Sequence, residues 1–259
     1  MTRKNAVAEP LSLTDARRLR ADRARQVADV LRRQVLFGGF ADGALPSEPE
    51  LMIEFGTSRN TVREALRLLC GEGLVERCPG VGTVVAGEKY AHGLEVLLGL
   101  AETLGGHGEV TNQVRTTGLI EPPGEIARRL EVAAGERVVY IERLRRLDGR
   151  PLSLDLTYVA RDLGGPLLAE DLAHNDIFVL LERIAGQPLG RAELTVEAVN
   201  ADPHSAATLD VPRGAALLMV ERMTHLADGR PVDLEYIRFR GDRITLRGTS
   251  RRGPRASPG

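Results

Sequence analysis

The sequence predicts an α+β protein: an N-terminal winged helix-turn-helix followed by an antiparallel sheet domain with flanking helices. Three observations support this fold class. The 259 residues exceed the roughly 100–200 of a typical single domain, which favours two domains. Residues 45–85 show two amphipathic helical patterns, a tight turn between them and a glycine-tipped hairpin. Residues 130–151 and 209–231 repeat one strand–turn–strand pattern, which indicates an antiparallel sheet.

The overall composition excludes several classes of protein. Two cysteines are too few for a disulfide framework, and the five histidines lack metal-ligand spacing, so no metal site and no cofactor are predicted. No apolar run approaches the ~18 residues of a membrane helix, and the N-terminus lacks a secretory signal. We therefore expect a cytoplasmic protein with no membrane partner. Since the net charge is only −1, the chain as a whole is not basic, and any contact with nucleic acid would depend on local charge placement.

Helical signals divide the N-terminal part of the chain. An amphipathic, arginine-rich helix is predicted from Leu19 to Phe37, because apolar residues recur along one face and two glycines follow. The boundaries expected from these patterns are a disordered arm at 1–18, the winged helix-turn-helix at 19–86, a linker at 87–92, the second domain at 93–248 and a flexible basic tail at 249–259.

Capping signals fix the next two helices. Ser47 and Glu50 have the spacing of a capping box, with a proline between them in the tolerant first turn. This helix is predicted to stop at Gly56, and the next begins near Ser58. The spacing i, i+3, i+4, i+7 predicts that the second of these helices buries Val62, Ala65, Leu66 and Leu69.

The polar face of this helix and the following hairpin carry the residue types that contact DNA. Guanidinium groups one turn apart can reach guanine edges or phosphates, an asparagine can pair with adenine, and hydroxyls can donate to phosphate. Glycines let a hairpin backbone approach a groove closely. The alternative is an ordinary solvated helix face. The predicted DNA-binding residues are Ser58, Arg59, Asn60, Thr61, Arg63, Arg77, Gly80 and Gly82.

This region resembles the GntR family of bacterial transcription regulators. The segments LPSE, EFG, SRNTVREAL, EGL and GVGT follow the order and spacing of that family across residues 25–86. The resemblance implies binding of a pseudo-palindromic double-stranded DNA operator as a homodimer. Three positions depart from the family pattern: Pro49 replaces an arginine, and Pro79 and Val81 replace polar or basic wing residues. We expect weaker phosphate contact at these positions.

The internal repeat predicts the architecture of the second domain. Leu130, Gly135 and Arg143 recur 79 positions later, and each copy continues through a Gly-Arg-Pro turn into a returning strand. Two such hairpins imply an antiparallel sheet with pseudo-symmetry. Helices predicted near 123–131, 175–186 and 203–210 are expected to cover one face of that sheet.

The second domain resembles the effector-binding domain of the HutC subfamily, called UTRA, whose fold is like that of chorismate lyase. The segments GERVVYIERLRRLDGRP, VERMTHLADGRPV and FRGDRI carry this resemblance. Members that bind phosphorylated sugars use two arginines, acids, an aromatic hydroxyl and a small residue at a helix start. The matching effector-binding positions are Arg143, Arg145, Asp155, Asn175 or Asp176, Asp233 and Phe239.

Two interpretations of these positions remain open. Strand alternation places Arg143 and Arg145 on one face, where both can bind one anion. Alternatively, they form ordinary salt bridges on the sheet surface with Glu142, Asp148 or Asp155.

The expected function is that of a DNA-binding repressor, not an enzyme. A small polar or anionic metabolite, with a phosphorylated sugar among the candidates, would release the protein from its operator. The alternative is a constitutive plasmid-maintenance or transfer repressor without an effector. A lyase-like enzyme is disfavoured because the sequence supplies no nucleophile–base pair.

Overall fold

The computed structural model describes residues 13–40, 42–86 and 89–250, and the chain divides into two compact units between Lys89 and Tyr90. Most of the expected arm and tail lies outside the described residues. Residues 13–18 of the expected arm are helical, and part of the expected linker forms a strand that starts at Tyr90.

Within the described residues, the first unit contains three helices and a hairpin: α1 (Leu13–Leu36), α2 (Glu48–Glu54), α3 (Arg59–Gly71), β1 (Val75–Cys78) and β2 (Gly82–Val85). Its core forms where α1 packs on α3, and the buried side chains include Val27, Leu31 and Leu51. The four apolar residues predicted to form the buried stripe of α3 are all buried, at 1% exposure or less. Burial of a valine or leucine side chain in this stripe stabilises the fold by about 1.5–3 kcal/mol.

The second unit contains the strands β3 (Tyr90–Gly93), β4 (Val110–Ile120), β5 (Val138–Leu147), β6 (Arg150–Val159), β7 (Leu189–Asn200), β8 (Ala216–Leu226), β9 (Pro231–Arg240) and β10 (Ile244–Arg247). It is built on a six-stranded antiparallel sheet in the order β4-β5-β6-β9-β8-β7, beside a parallel pair of short strands, β3 and β10. The helices are α4 (Leu100–Leu104), α5 (Gly124–Arg129), α6 (Arg161–Leu167), α7 (Ile177–Ala185) and α8 (Pro203–Leu209).

The internal repeat forms the centre of this sheet, which confirms the predicted antiparallel architecture. The first copy is the hairpin β5–β6, the second is β8–β9, and the two returning strands pair with each other. In the first turn, Asp148 and Gly149 both have positive φ, at 48° and 72°. Two successive positive φ angles match the right-handed twist of a tight hairpin.

Helices cover both faces of the sheet, so the prediction that three helices cover one face is wrong. We name the face that carries Arg143 and Arg145 the pocket face. Helix α7 packs there, together with α6, against Val139 and Ile141. Helices α5 and α8 pack on the opposite face, where they contact residues such as Leu144. The β3–β10 pair and α4 cover the other end of the pocket face.

Candidate functional sites

The first candidate site begins with the local structure of α2. Glu50 accepts hydrogen bonds from the backbone N–H of Ser47 at 2.8 Å and from its hydroxyl at 2.7 Å. These bonds lower the pKa of Glu50 and hold the start of the helix. Pro49 lies in the first turn, where a missing N–H costs nothing. Glu48, the first helical residue, is thereby fixed beside the start of α3.

Three arginines surround Glu48. Its carboxylate lies 3.8 Å from Arg59, 3.7 Å from Arg63 and 3.7 Å from Arg77. The arginine side chains are 61%, 57% and 49% exposed, so all three remain accessible. Each attraction contributes about 1 kcal/mol or less in water. Glu48 therefore gathers three mobile cations from helix and wing into one cluster.

The start of α3 differs in one respect from the expectation. Ser58 is its N-cap, and the Ser58 hydroxyl accepts from the backbone N–H of Thr61 at 3.3 Å. Thr61 is only 4% exposed, and its hydroxyl bonds to that of Ser58 at 2.9 Å. Helical periodicity turns Thr61 toward the core next to Val62, so its expected outward hydroxyl is directed inward. Asn60 is exposed.

The hairpin tip is shaped by glycines. Gly80 and Gly82 have φ angles of +79° and +113°, which other residues rarely adopt. Val81, between them, is 69% exposed and places an apolar side chain at the tip. The structure thus brings Arg59, Arg63 and Arg77 together, and the glycine-containing hairpin tip belongs to the same unit.

The second candidate site lies on the pocket face of the large sheet. Cross-strand register places Arg143 opposite Asp155, and Arg222 opposite Glu235. Residues that alternate along a strand share a face, so this face collects an unusual number of buried charges. Six ionisable side chains lie on it with no more than 6% exposure: Arg143, Arg145, Asp155, Arg222, Asp233 and Glu235.

Arg145 is held by two carboxylates. Its Nε contacts Asp155, and its Nη1 donates to Oδ1 of Asp176 at 3.1 Å. The second oxygen of Asp176 accepts from the backbone N–H of Ala101, at 3.0 Å. Asp176 is also the N-cap residue of α7, so one carboxylate joins β5, α7 and α4. The Arg145–Asp155 pair is buried and does not form the surface salt bridge considered above.

The second copy of the repeat supplies its own charged pair. Arg222 donates to Glu235, and its guanidinium lies 4.3 Å from the ring centre of Phe178. Arg222 matches Arg143 at the repeat offset of 79, and Glu235 matches Asp155 at 80. Arg222 and Glu235 were not among the site residues predicted from the sequence, although their correspondence with Arg143 and Asp155 in the repeat could have indicated them.

Arg143 and Asp233 are the least satisfied members of this cluster. All three guanidinium nitrogens of Arg143 and both carboxylate oxygens of Asp233 are without hydrogen-bond partners among the described residues. Burial and the neighbouring Arg145 lower the pKa of Arg143 to about 10. Burial and the neighbouring Glu235 raise the pKa of Asp233 well above its usual range. Asp233 therefore retains its proton more readily than an exposed aspartate does.

A narrow pocket opens between the pocket face and the β3–β10 pair. Its polar lining is His92, Arg145, Asp155 and Arg222, so both copies of the repeat contribute. Burial and the two arginines lower the pKa of His92 to about 4, which keeps the imidazole neutral near pH 7. Phe239 also lines the pocket, whereas Arg143 and Asp233 lie outside its lining. His92 is a further site residue that the sequence did not reveal.

Comparison with known proteins identifies both units. Residues 23–85 match the family described as bacterial regulatory proteins, gntR family, and residues 106–245 match the UTRA domain. The chain belongs to the GntR family. It is 31% identical to the HTH-type transcriptional repressor NagR of Bacillus subtilis, over 85% of this chain and 91% of that protein. These matches place the chain among bacterial transcriptional regulators rather than enzymes.

The chain is also similar to a second repressor and to a protein of known structure. It is 31% identical to the histidine utilization repressor of Pseudomonas putida, over 79% of this chain and 82% of that one. The crystal structure of PhnF from Mycobacterium smegmatis superposes with a TM-score of 0.63 at 25% identity, covering 87% of this chain and 99% of that one. Within the described residues, no helix is long and apolar enough to cross a membrane, and no group of side chains could hold a metal ion.

Proposed function

We propose that this GntR protein is a ligand-controlled repressor that holds a pseudo-palindromic operator as a homodimer. A small molecule with a polar or anionic group binds in the pocket and lowers the affinity for DNA. The DNA-reading module is proposed to span residues 19–86 and the sensing module to begin at Tyr90, because β3 and His92 of the expected linker belong to the second unit.

One observation carries the sensing role. Six buried ionisable side chains on one sheet face give a protein little stability, because desolvation offsets most of the attraction within each pair. Four polar side chains of this region converge on one cavity: His92, Arg145, Asp155 and Arg222. A cavity lined by apolar residues and a few convergent polar groups is the usual form of a ligand site.

DNA recognition is assigned to the arginine cluster around Glu48. Arg59 and Arg63 lie one turn apart on α3, and Arg77 joins them from the hairpin. A recognition helix typically inserts its N-terminal half in the major groove, while dimers read two half-sites one helical turn apart. The tip glycines, Gly80 and Gly82, let the wing backbone approach the neighbouring groove.

The identity of the effector does not follow from similarity. NagR and the histidine utilization repressor are equally distant from this chain at 31% identity, and the second name refers to a defined nutrient system. A ligand acts allosterically only through different affinities for the bound and released states, typically by 1–3 kcal/mol. The class of effector therefore has to be inferred from the residues that line the pocket.

The test begins with selection of bound duplexes from a random pool, followed by fluorescence anisotropy with full-length protein. Arg59→Ala combined with Arg63→Ala is expected to weaken binding by about 1–3 kcal/mol for each lost base contact. Arg67→Ala is the matched control, because Arg67 lies on the same helix but pairs with Glu64. Unchanged binding by the double variant would contradict the assignment.

A metabolite panel then tests control by ligand. Release of the selected duplex by at least one compound supports the proposed regulation. No release and no thermal shift across a broad panel would instead favour a constitutive repressor. Sedimentation of the protein with and without duplex tests the homodimer.

A further inference from the structure

We propose that the pocket takes a ligand with an apolar body and one polar end of at most a single negative charge, and that it excludes phosphorylated compounds. This inference deepens the proposed function and rests on it.

The lining supplies the first argument. Most residues around the pocket are apolar, and they come from β3 and the segment after it, α4, and strands of the sheet. A sugar would leave its hydroxyls against this surface without partners, and each unpaired buried hydroxyl is costly. An apolar body instead gains from burial. The apolar lining residues are Leu94, Leu100, Leu194, Val220, Ile237, Phe239 and Leu246.

Charge pairing supplies the second argument. The two cations that line the pocket already have carboxylate partners: Arg145 has Asp155 and Asp176, and Arg222 has Glu235. These pairs are at least 93% buried on both sides. A phosphate dianion would have to displace carboxylates that cannot reach solvent. The desolvation of two further charges would then exceed what the shared arginines return.

The whole cluster is electrically balanced without a ligand. Arg143, Arg145 and Arg222 oppose the carboxylates of Asp155, Asp176 and Glu235. The raised pKa of Asp233 favours its neutral form, and the lowered pKa of His92 keeps that ring neutral near pH 7. A neutral or singly charged end thus disturbs the balance little, and Nδ1 of His92 is a buried atom without a partner in the described chain.

The carboxylate of Asp176 supplies Arg145 with a negative partner from within the chain. It lies 3.1 Å from Arg145 and is fixed from behind by the N–H of Ala101. This carboxylate occupies the space beside Arg145 that an anionic group of a ligand would need in order to pair with that arginine. Removal of its charge, with its shape retained, is expected to make Arg145 available to a ligand anion.

The pocket continues into a wider outer cavity of about 170 Å³, with which it shares His92, Leu94, Leu194 and Arg222. Leu98 lines only this outer cavity.

Four probes separate the alternatives: hexanoate, hexanamide, hexyl phosphate and glucose 6-phosphate. The first three share a six-carbon body and differ in the charge of the polar end. Calorimetric titration of full-length protein without DNA is expected to show binding of hexanoate and hexanamide. Hexyl phosphate should bind at least about tenfold more weakly, and glucose 6-phosphate should not bind.

Variants assign binding to the pocket. Asp176→Asn keeps the shape of this side chain, which makes no capping hydrogen bond to α7, but removes one negative charge, so hexyl phosphate is expected to gain about tenfold in affinity. A gain of binding cannot come from a misfolded protein. Leu94→Asn should weaken hexanoate binding, whereas Leu98→Asn, in the outer cavity only, should leave it unchanged.

The outcomes separate the proposed ligand class from the proposed control of DNA binding by a ligand. Tight binding of glucose 6-phosphate or hexyl phosphate by the unmodified protein would overturn the ligand class, even if these compounds release DNA. Binding of none of the four probes would overturn it as well. Binding of hexanoate without any change in operator affinity would support the ligand class but contradict the ligand-controlled repressor.

Discussion

Asp233→Asn tests whether the buried acid of the sheet is protonated in the folded protein. Asp233 is fully buried, and its carboxylate has no hydrogen-bond partner within the described residues. Burial and Glu235 raise its pKa well above the ordinary value of 3.8. Arg222, Arg143 and Arg145 oppose this shift but do not cancel it. Asparagine has the shape of the protonated acid and does not titrate.

The sign of the effect follows from proton uptake. Between pH 5 and the raised pKa, the folded protein holds a proton on Asp233 that the unfolded chain has released. Stability therefore falls as the pH rises through this window, by about 1.4 kcal/mol per pH unit. The asparagine variant lacks this loss. Its stability relative to the parent protein should increase by about 1.4 kcal/mol for each pH unit.

Tyrosine fluorescence provides the assay. The chain has no tryptophan, and its four tyrosines, Tyr90, Tyr140, Tyr158 and Tyr236, all lie in the second unit. Urea unfolding at pH 5, 6 and 7 thus reports on the sheet domain of the intact protein. Asp228→Asn is the control, because a lowered pKa keeps exposed Asp228 ionised in both states over this range. Parallel pH profiles for the Asp233 variant and the parent protein would refute the reasoning.

Three other substitutions have defined outcomes. Gly164→Ala would place a Cβ 2.7 Å from that of Val139 and should cost about 1–3 kcal/mol in urea unfolding, whereas Gly165→Ala meets open space and should cost nothing. Glu48→Gln removes the carboxylate that Arg59, Arg63 and Arg77 share, so these arginines become free to bind any phosphate. In fluorescence anisotropy, the ratio of the affinity for the selected duplex to that for a random duplex should fall about threefold. Val81→Lys at the exposed wing tip should steepen the salt dependence of DNA binding by about 0.9, and an unchanged slope would contradict a wing–phosphate contact.

One edge strand, β4, could not be predicted because it lacks the usual pattern. It is exposed from Gln113 to Thr117, and its buried residue is the polar Asn112. It does not alternate clearly between apolar and polar residues, so periodicity gave no signal. The other edge strand, β7, does alternate from Ala192 to Ala198, although most of its length is exposed. The central strands were predictable because the repeat marks them and both of their faces are covered.

The sequence by itself determined the features that depend on neighbouring residues. These are the buried stripe of α3, the capping box at Ser47 and Glu50, the glycine turns and the repeated hairpins, since helical and strand periods and local hydrogen bonds act over a few positions. Tertiary structure alone decided which charges are paired. Arg145 donates a hydrogen bond to Asp176, which lies 31 residues away in the sequence. Arg222, from the second copy of the repeat, lines the same pocket as Arg145 from the first copy. Whether a buried arginine is available to a ligand depends on such distant carboxylates, because they set the local charge balance, and no local pattern encodes them.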